Sequence, residues 1–286
     1  MSKKKKKEGR RIKSLHPMDM VSPYLMPTRI GAMNLFKDSF DMTEAEKYIL
    51  AKRKEGLSNF GFVHLLLAAY VRGLASRPGV NRFIRGQRVY ARNRITICMT
   101  IKKELSLNAQ ETVIKVHLAP DMTAEQVYNA FNNAVSEAKS EEENSFDAVA
   151  KLLHFIPGVL LKFFVWCLRV MDYFGILPKS LVEVSPFHGS LFLTSMGSLG
   201  IPPIYHHLYN FGNLPVFVAY GTKKVDYALD DEGNVKQRKH VDFTVSCDER
   251  ICDGHYYASF FKTVKKYFKD PFKLDSPPDE IVEDIK

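Results

Sequence analysis

Apolar positions recur at helical spacing in 60-FGFVHLLLAAYVRGLASRPG-79, and Pro78-Gly79 predicts where that helix stops. A second amphipathic helix is predicted from Thr123 to Lys139, opened by Thr123 with Gln126 three residues on. A third, 254-GHYYASFFKTVKKYFKDP-271, ends at Asp270-Pro271. Between them lie strand-like runs: two in 87-QRVYARNRITICMTIKKE-104, then 111-ETVIKVHLAP-120, 190-SLFLTSMGSLG-200, 214-LPVFVAYGTKKV-225 and 240-HVDFTVSCDE-249. The turn 230-DDEGN-234 predicts that the last two form a hairpin. Segment 38-DSFDMTEAEKYILAKRKEG-56 reads as a short strand and then a helix, with Thr43 and Glu46 at capping-box spacing. Residues 15–34 are expected to be irregular, because Pro17, Pro23 and Pro27 prevent a long helix. Interleaved strands and helices with a late hairpin predict a single α/β or α+β domain and no repeat array.

Charge changes this picture only at one end. The 286 residues carry a net charge of +9, but residues 1–14, MSKKKKKEGRRIKS, hold eight basic side chains and one acid. That net of +7 leaves only +2 for the rest of the chain, so the basicity belongs to a tail. Such a tail is expected to be a solvated arm, able to attract an anionic membrane surface but with nothing that orders bases for nucleic-acid readout. It lacks the apolar stretch of a secretory signal. Cys98, Cys167, Cys247 and Cys252 include no C-x-x-C pair and sit in apolar runs, which fits free thiols in a reducing, cytoplasmic setting. The expected layout is a disordered basic tail over 1–19, a domain over 20–272, a linker-like interruption at 140–145 inside it, and a flexible C-terminal tail over 273–286.

One run is unusual: 152-LLHFIPGVLLKFFVWCLRVMDYF-174. Lys162 and Arg169 fall on one stripe of a helix, and Pro157-Gly158 interrupts the front. A membrane span needs about 20 uninterrupted apolar residues. The reading is therefore a buried or subunit-contact helix, with an interfacial helix working beside the basic tail as the alternative.

The candidate chemistry lies in 246-SCDERICDGHYY-257. With strand period two, Val241, Phe243, Val245, Cys247 and Glu249 share one face and Asp242, Thr244, Ser246 and Asp248 the other. Glu249 thus ends an apolar stripe, where a partly desolvated carboxyl suits proton transfer. The plainer alternative is that Glu249 pairs with an arginine and closes the strand. His255 begins the following helix and is expected to point elsewhere. His206-His207 lack further ligands at metal spacing, and Cys247 with Cys252 fits buried thiols, so no metal is expected.

The run S-x-D-E-R-I-x-D-G resembles the C-terminal motif of the dihydrolipoamide acyltransferases, the catalytic cores of 2-oxoacid dehydrogenase complexes, and is similar to that of chloramphenicol acetyltransferase. The segments 39-SFDMTEAEKYI-49, 63-VHLLLAAYVRGLASRPGVNRFIRG-86, 189-GSLFLTSMGSLGI-201 and 215-PVFVAYGTKK-224 resemble the same family in the same order. The resemblance implies a chloramphenicol acetyltransferase-like fold, a mixed sheet covered by helices, assembled as a homotrimer. It implies acyl transfer from acyl-coenzyme A to a small-molecule acceptor in a channel between subunits. The family's motif is His-x-x-x-Asp-Gly; Asp253 and Gly254 match, while Glu249 stands at the histidine that acts as base. The hydroxyl that donates to the oxyanion corresponds to Thr194, with Ser195 beside it. The arginine that pairs with the motif aspartate in some members corresponds to Arg29. No lipoyl domain is expected before residue 20, which favours a stand-alone acyltransferase. The alternative is a non-catalytic trimeric scaffold that has lost its base.

Overall fold

The computed structural model describes residues 8–102, 111–140, 155–229 and 232–286. Its main sheet has six strands in the order β2-β9-β8-β7-β5-β6. These are β2 (Met33–Asp41), β5 (Ile95–Lys102), β6 (Glu111–Leu118), β7 (Leu191–Ser195), β8 (Val216–Leu229) and β9 (Val235–Asp248). β5, β7 and β8 run parallel, and β6, β9 and β2 pair antiparallel with their neighbours, so the sheet is mixed. A second, three-stranded sheet joins β1 (Gly9–Arg11), β4 (Arg88–Arg92) and β3 (Arg82–Arg85) in the order β1-β4-β3.

Alternation along the strands decides how the main sheet is covered. Val241, Phe243, Val245 and Cys247 of β9 and Leu191 and Leu193 of β7 face one core. That core is closed by α2 (Thr43–Lys54), α3 (Phe62–Ser76), α4 (Ala124–Ser140) and α7 (Gly254–Lys269). A side chain at Gly73 of α3 would stand 2.8 Å from the Phe260 ring and 3.0 Å from Val264, so glycine there lets α3 and α7 pack closely. The other face holds Phe192, Phe217 and Cys98 under Leu208 and Leu214. The chain linking β7 to β8 thus covers this face, held by Thr244 Oγ1 donating to the Ile204 carbonyl (2.6 Å) and Ser246 to that of His206.

Several expectations are corrected. The arm 1–19 is shorter than expected, because residues 8–19 belong to the fold. Glu8 pairs with Arg92 (2.6 Å) and Arg85, β1 adds to β4, and Ile12 and Leu15 are buried. Residues 15–34 include a nine-residue helix, α1 (Pro17–Leu25), because Pro17 stands in its first turn, where no amide hydrogen is needed. The C-terminal tail also packs down: Val282 N donates to the Ala75 carbonyl at 2.8 Å and Asp284 pairs with Arg82 at 2.5 Å. The capping box forms at Thr123 and Gln126, whose side chain accepts from Thr123 N at 2.9 Å. It does not form at Thr43, which is already helical and whose amide donates to Asp41 at 2.8 Å. Leu229 pairs with Val235 as the hairpin requires, while Asp230 and Asp231 lie outside the described residues, as does the linker-like stretch after Ser140.

The unusual apolar run forms α5 (Gly158–Phe174), followed by the short α6 (Lys179–Val184). Contrary to the first expectation, no residue of α5 is buried within the chain. Among the described residues, no helix is long and apolar enough to cross a membrane.

Candidate functional site

The end of β9 organises the region. Asp248 is its last residue and is buried at 1% exposure. Its carboxylate accepts from Arg250 twice, Oδ1 from Nε at 2.8 Å and Oδ2 from Nη2 at 2.7 Å, a bidentate pair closed within three residues. Arg29 adds a second guanidinium, its Nε 3.5 Å from Asp248 Oδ2, too long for a good hydrogen bond but close enough to share the charge. Arg29 also donates to the carbonyls of Gly212 (2.6 Å) and Tyr209, while Arg250 Nη1 reaches the Met26 carbonyl at 3.2 Å. A carboxylate between two buried cations thus pins the chain before β2 and the β7–β8 link onto the tip of β9.

Glu249 is the next residue. Its backbone N–H donates to the Ala32 carbonyl at 2.9 Å, extending the pairing with β2 by one step, and its side chain is exposed. The expected desolvation is therefore absent within one chain. The plainer alternative also fails, because Arg250 turns back to Asp248 and Glu249 makes no ion pair among the described residues. Asp253 is exposed and caps α7, accepting from Tyr256 N at 2.7 Å; Gly254 opens the helix and His255 is exposed in its first turn. Arg29 stands beside Asp248 rather than Asp253.

Thr194 lies near the end of β7, 9% exposed, with Ser195 half-buried after it. The register aligns Thr194 with Ala219 of β8 and Ala219 with Thr244 of β9. Glu249 is two strands away and five residues further along. At ~3.3 Å per residue and ~4.8 Å per strand, roughly 19 Å separate their backbones. One chain brings Glu249, Asp253 and Gly254 together at the β9–α7 turn and leaves Thr194 and Ser195 apart from them.

Asp248 and Arg250 lie within the S-x-D-E-R-I-x-D-G run, which gives neither of them a role at the site. Alternation placed Asp248 on the face opposite the apolar stripe, and a carboxylate two residues before an arginine was the available signal. Near them, His206 stacks on Phe217 at 4.3 Å with its Nε2 buried and unpartnered, and burial holds its imidazole below the ordinary range. Cys247 is a buried free thiol pushed up to about 12 by that burial. Among the described residues, no group of three His, Cys, Asp or Glu side chains is placed to hold a metal ion.

Residues 188–275 match the family model described as 2-oxoacid dehydrogenases acyltransferase (catalytic domain). That stretch contains Thr194, Glu249, Asp253 and Gly254. A comparison with curated proteins finds no match. Among solved structures, a probable dihydrolipoamide acetyltransferase from Listeria monocytogenes 4b F2365 is similar at 16% identity, with a TM-score of 0.57, covering 88% of each chain. The truncated catalytic core of the 2-oxoacid dehydrogenase multienzyme complex from Thermoplasma acidophilum is similar at 16% identity and TM-score 0.55, over 91% of this chain and 98% of that one. A chloramphenicol acetyltransferase is similar at 14% identity and TM-score 0.53, over 87% and 93%. At these identities the structures speak for the fold alone. The chain has the chloramphenicol acetyltransferase-like fold, and its residues 188–275 are similar to the catalytic domain of the 2-oxoacid dehydrogenase acyltransferases.

Proposed function

We propose that the protein is an acyltransferase that moves an acyl group from acyl-coenzyme A to a small-molecule acceptor at a site between subunits of a homotrimer. The observation that carries this reading is the family match across the stretch holding Thr194 and the Glu249–Gly254 turn. The separation of Thr194 from Glu249 within one chain supports a shared site, since an exposed Glu249 on one copy is free to meet Thr194 of another. In that arrangement the Glu249 carboxylate takes the proton from an acceptor thiol or hydroxyl as its sulfur or oxygen attacks the thioester carbonyl. The Thr194 hydroxyl of the neighbouring copy donates to the oxyanion of the tetrahedral intermediate. Collapse breaks the carbon–sulfur bond, and the coenzyme A thiolate recovers the proton from Glu249. Asp253 holds the start of α7, and with it the turn that carries Glu249. A reducing cytoplasm belongs to the same reading, supported by the four free cysteines.

The second reading, a trimeric scaffold without catalysis, is favoured by one observation: no arginine or hydrogen-bond partner orients the Glu249 side chain among the described residues. Incubation with acetyl-coenzyme A and a panel of thiol, hydroxyl and amine acceptors, following free thiol release, separates the two. The acyltransferase reading expects turnover by wild type, loss in Glu249→Gln and retention or gain in Glu249→His. Equal inactivity of all three proteins, with no coenzyme A binding, would leave the scaffold.

A further inference from the structure

Helix α5 exposes a broad apolar surface that nothing among the described residues covers. Val159 is 85% exposed, Trp166 59% and Phe174 67%, with Phe163 and Tyr173 also open. At 100° per residue, Val159, Phe163, Trp166 and Tyr173 form one outward stripe. Leu161, Leu168 and Met171, on the other side, are half-buried. Lys162 and Arg169 run along the edge of the outward stripe, exposed and without an ion pair among the described residues. The helix's one acid, Asp172, is turned inward, where Oδ2 accepts from Gly212 N at 2.8 Å and Oδ1 lies 3.1 Å from His188 Nε2.

Among the described residues, the polar side-chain contacts of the helix lie at its C-terminal end. Tyr173 Oη pairs with Gln87 at 3.1 Å, and Gly175 ends the helix in the left-handed conformation at φ 67°. The Arg85 side chain lies against Gly175: a Cβ there would meet Arg85 Cδ at 2.6 Å. Arg85 in turn pairs with Glu8, the residue that directly follows Lys3 to Lys7 in the sequence. Glu8 therefore lies beside the C-terminal root of the apolar helix.

An apolar stripe rich in aromatic residues and edged by cations without an ion pair among the described residues is complementary to a surface that is apolar within and anionic at its face. A second copy of the chain would bring the same cations to the contact. We propose that α5 docks in the plane of an anionic lipid surface. Val159, Phe163, Trp166 and Tyr173 enter the boundary between headgroups and acyl chains, and Lys162 and Arg169 meet lipid phosphates. The helix, about 26 Å long at 1.5 Å per residue, lies along the surface and does not cross it. This docking is independent of whether the protein transfers acyl groups.

Trp166 is the chain's single tryptophan, so its fluorescence reports on this helix alone. The full chain is mixed with vesicles of phosphatidylcholine and phosphatidylglycerol in equal parts, some carrying brominated acyl chains. The expected result is a blue shift of the emission and quenching by the brominated lipid. Lys162→Glu with Arg169→Glu should weaken binding roughly tenfold or more, while circular dichroism shows the fold unchanged. An unchanged spectrum with anionic vesicles overturns the proposal. So does an equal response to pure phosphatidylcholine. Emission already blue-shifted without lipid and rising with protein concentration would assign the stripe to a second copy and overturn it too.

Discussion

Three carboxylates within six residues, Asp248, Glu249 and Asp253, have separate fates, and each follows from its neighbours. Asp248 is buried against Arg250 and beside Arg29, so it is a structural charge. Removing it leaves two guanidinium groups buried with too little opposing charge. Asp248→Asn is expected to cost about 3–5 kcal/mol, read as a lowered urea midpoint. Asp253 caps α7 from an exposed position, so Asp253→Ala should cost only about 1 kcal/mol by the same measurement. A far larger loss at Asp253, with little at Asp248, would mean that the charges are arranged otherwise. Strand alternation made the apolar stripe Val241, Phe243, Val245 and Cys247 legible, with Asp248 on the opposite face. The sequence did not reveal which carboxylate Arg250 would choose, because a guanidinium one residue from Glu249 and two from Asp248 reaches either.

Helix starts show the same competition at the level of elements. Thr123 and Gln126 form the predicted capping box, while Thr43 and Glu46, with the same spacing, do not. Glu46 is drawn away by Lys223 at 2.5 Å and Lys239 at 2.8 Å, cations from β8 and β9 that lie far off in sequence. Such partners exist only once the sheet has formed. Helix α3 has a start that no capping pattern predicted: His64 Nδ1 accepts from Gly61 N at 3.0 Å, and Nε2 lies 3.4 Å from Asn132 Oδ1. Burial lowers His64 from 6.5 to about 4, outweighing the Asn132 contact that favours the proton. The folded chain therefore refuses a proton that the unfolded chain accepts below about pH 6.5. The resulting stability is fully present above that pH and is lost as the pH falls toward 4, by on the order of 3 kcal/mol. His64→Gln keeps an acceptor at the cap and removes the titration. Its urea midpoint should vary less between pH 6.5 and 4 than that of the wild type, and parallel curves for the two proteins would place the acid sensitivity elsewhere.

For the whole molecule, the order of strands and helices was legible because each carries its own periodicity. The covering of the sheet was not. Leu208 and Leu214 close one face from a link with no regular pattern, and α5 is apolar with no residue buried by the chain described. Hydrophobicity records that a surface must be covered, and the partner that covers it is not written in the same residues. The site has the same character, with Thr194 and Glu249 some 19 Å apart by strand register. If they act together, they must come from different copies. Thr194→Ala and Glu249→Gln, each inactive alone, then complement each other when expressed together, because a mixed trimer contains interfaces with both native residues. Random assembly of equal amounts in a closed ring gives a native pair at roughly a quarter of the interfaces, and so about a quarter of wild-type coenzyme A release. Sedimentation of the same mixture should show a single trimeric species. Co-expressed chains that sediment as mixed trimers yet stay as inactive as either parent would mean that each chain builds its site from its own residues, with a hydroxyl other than that of Thr194 facing Glu249.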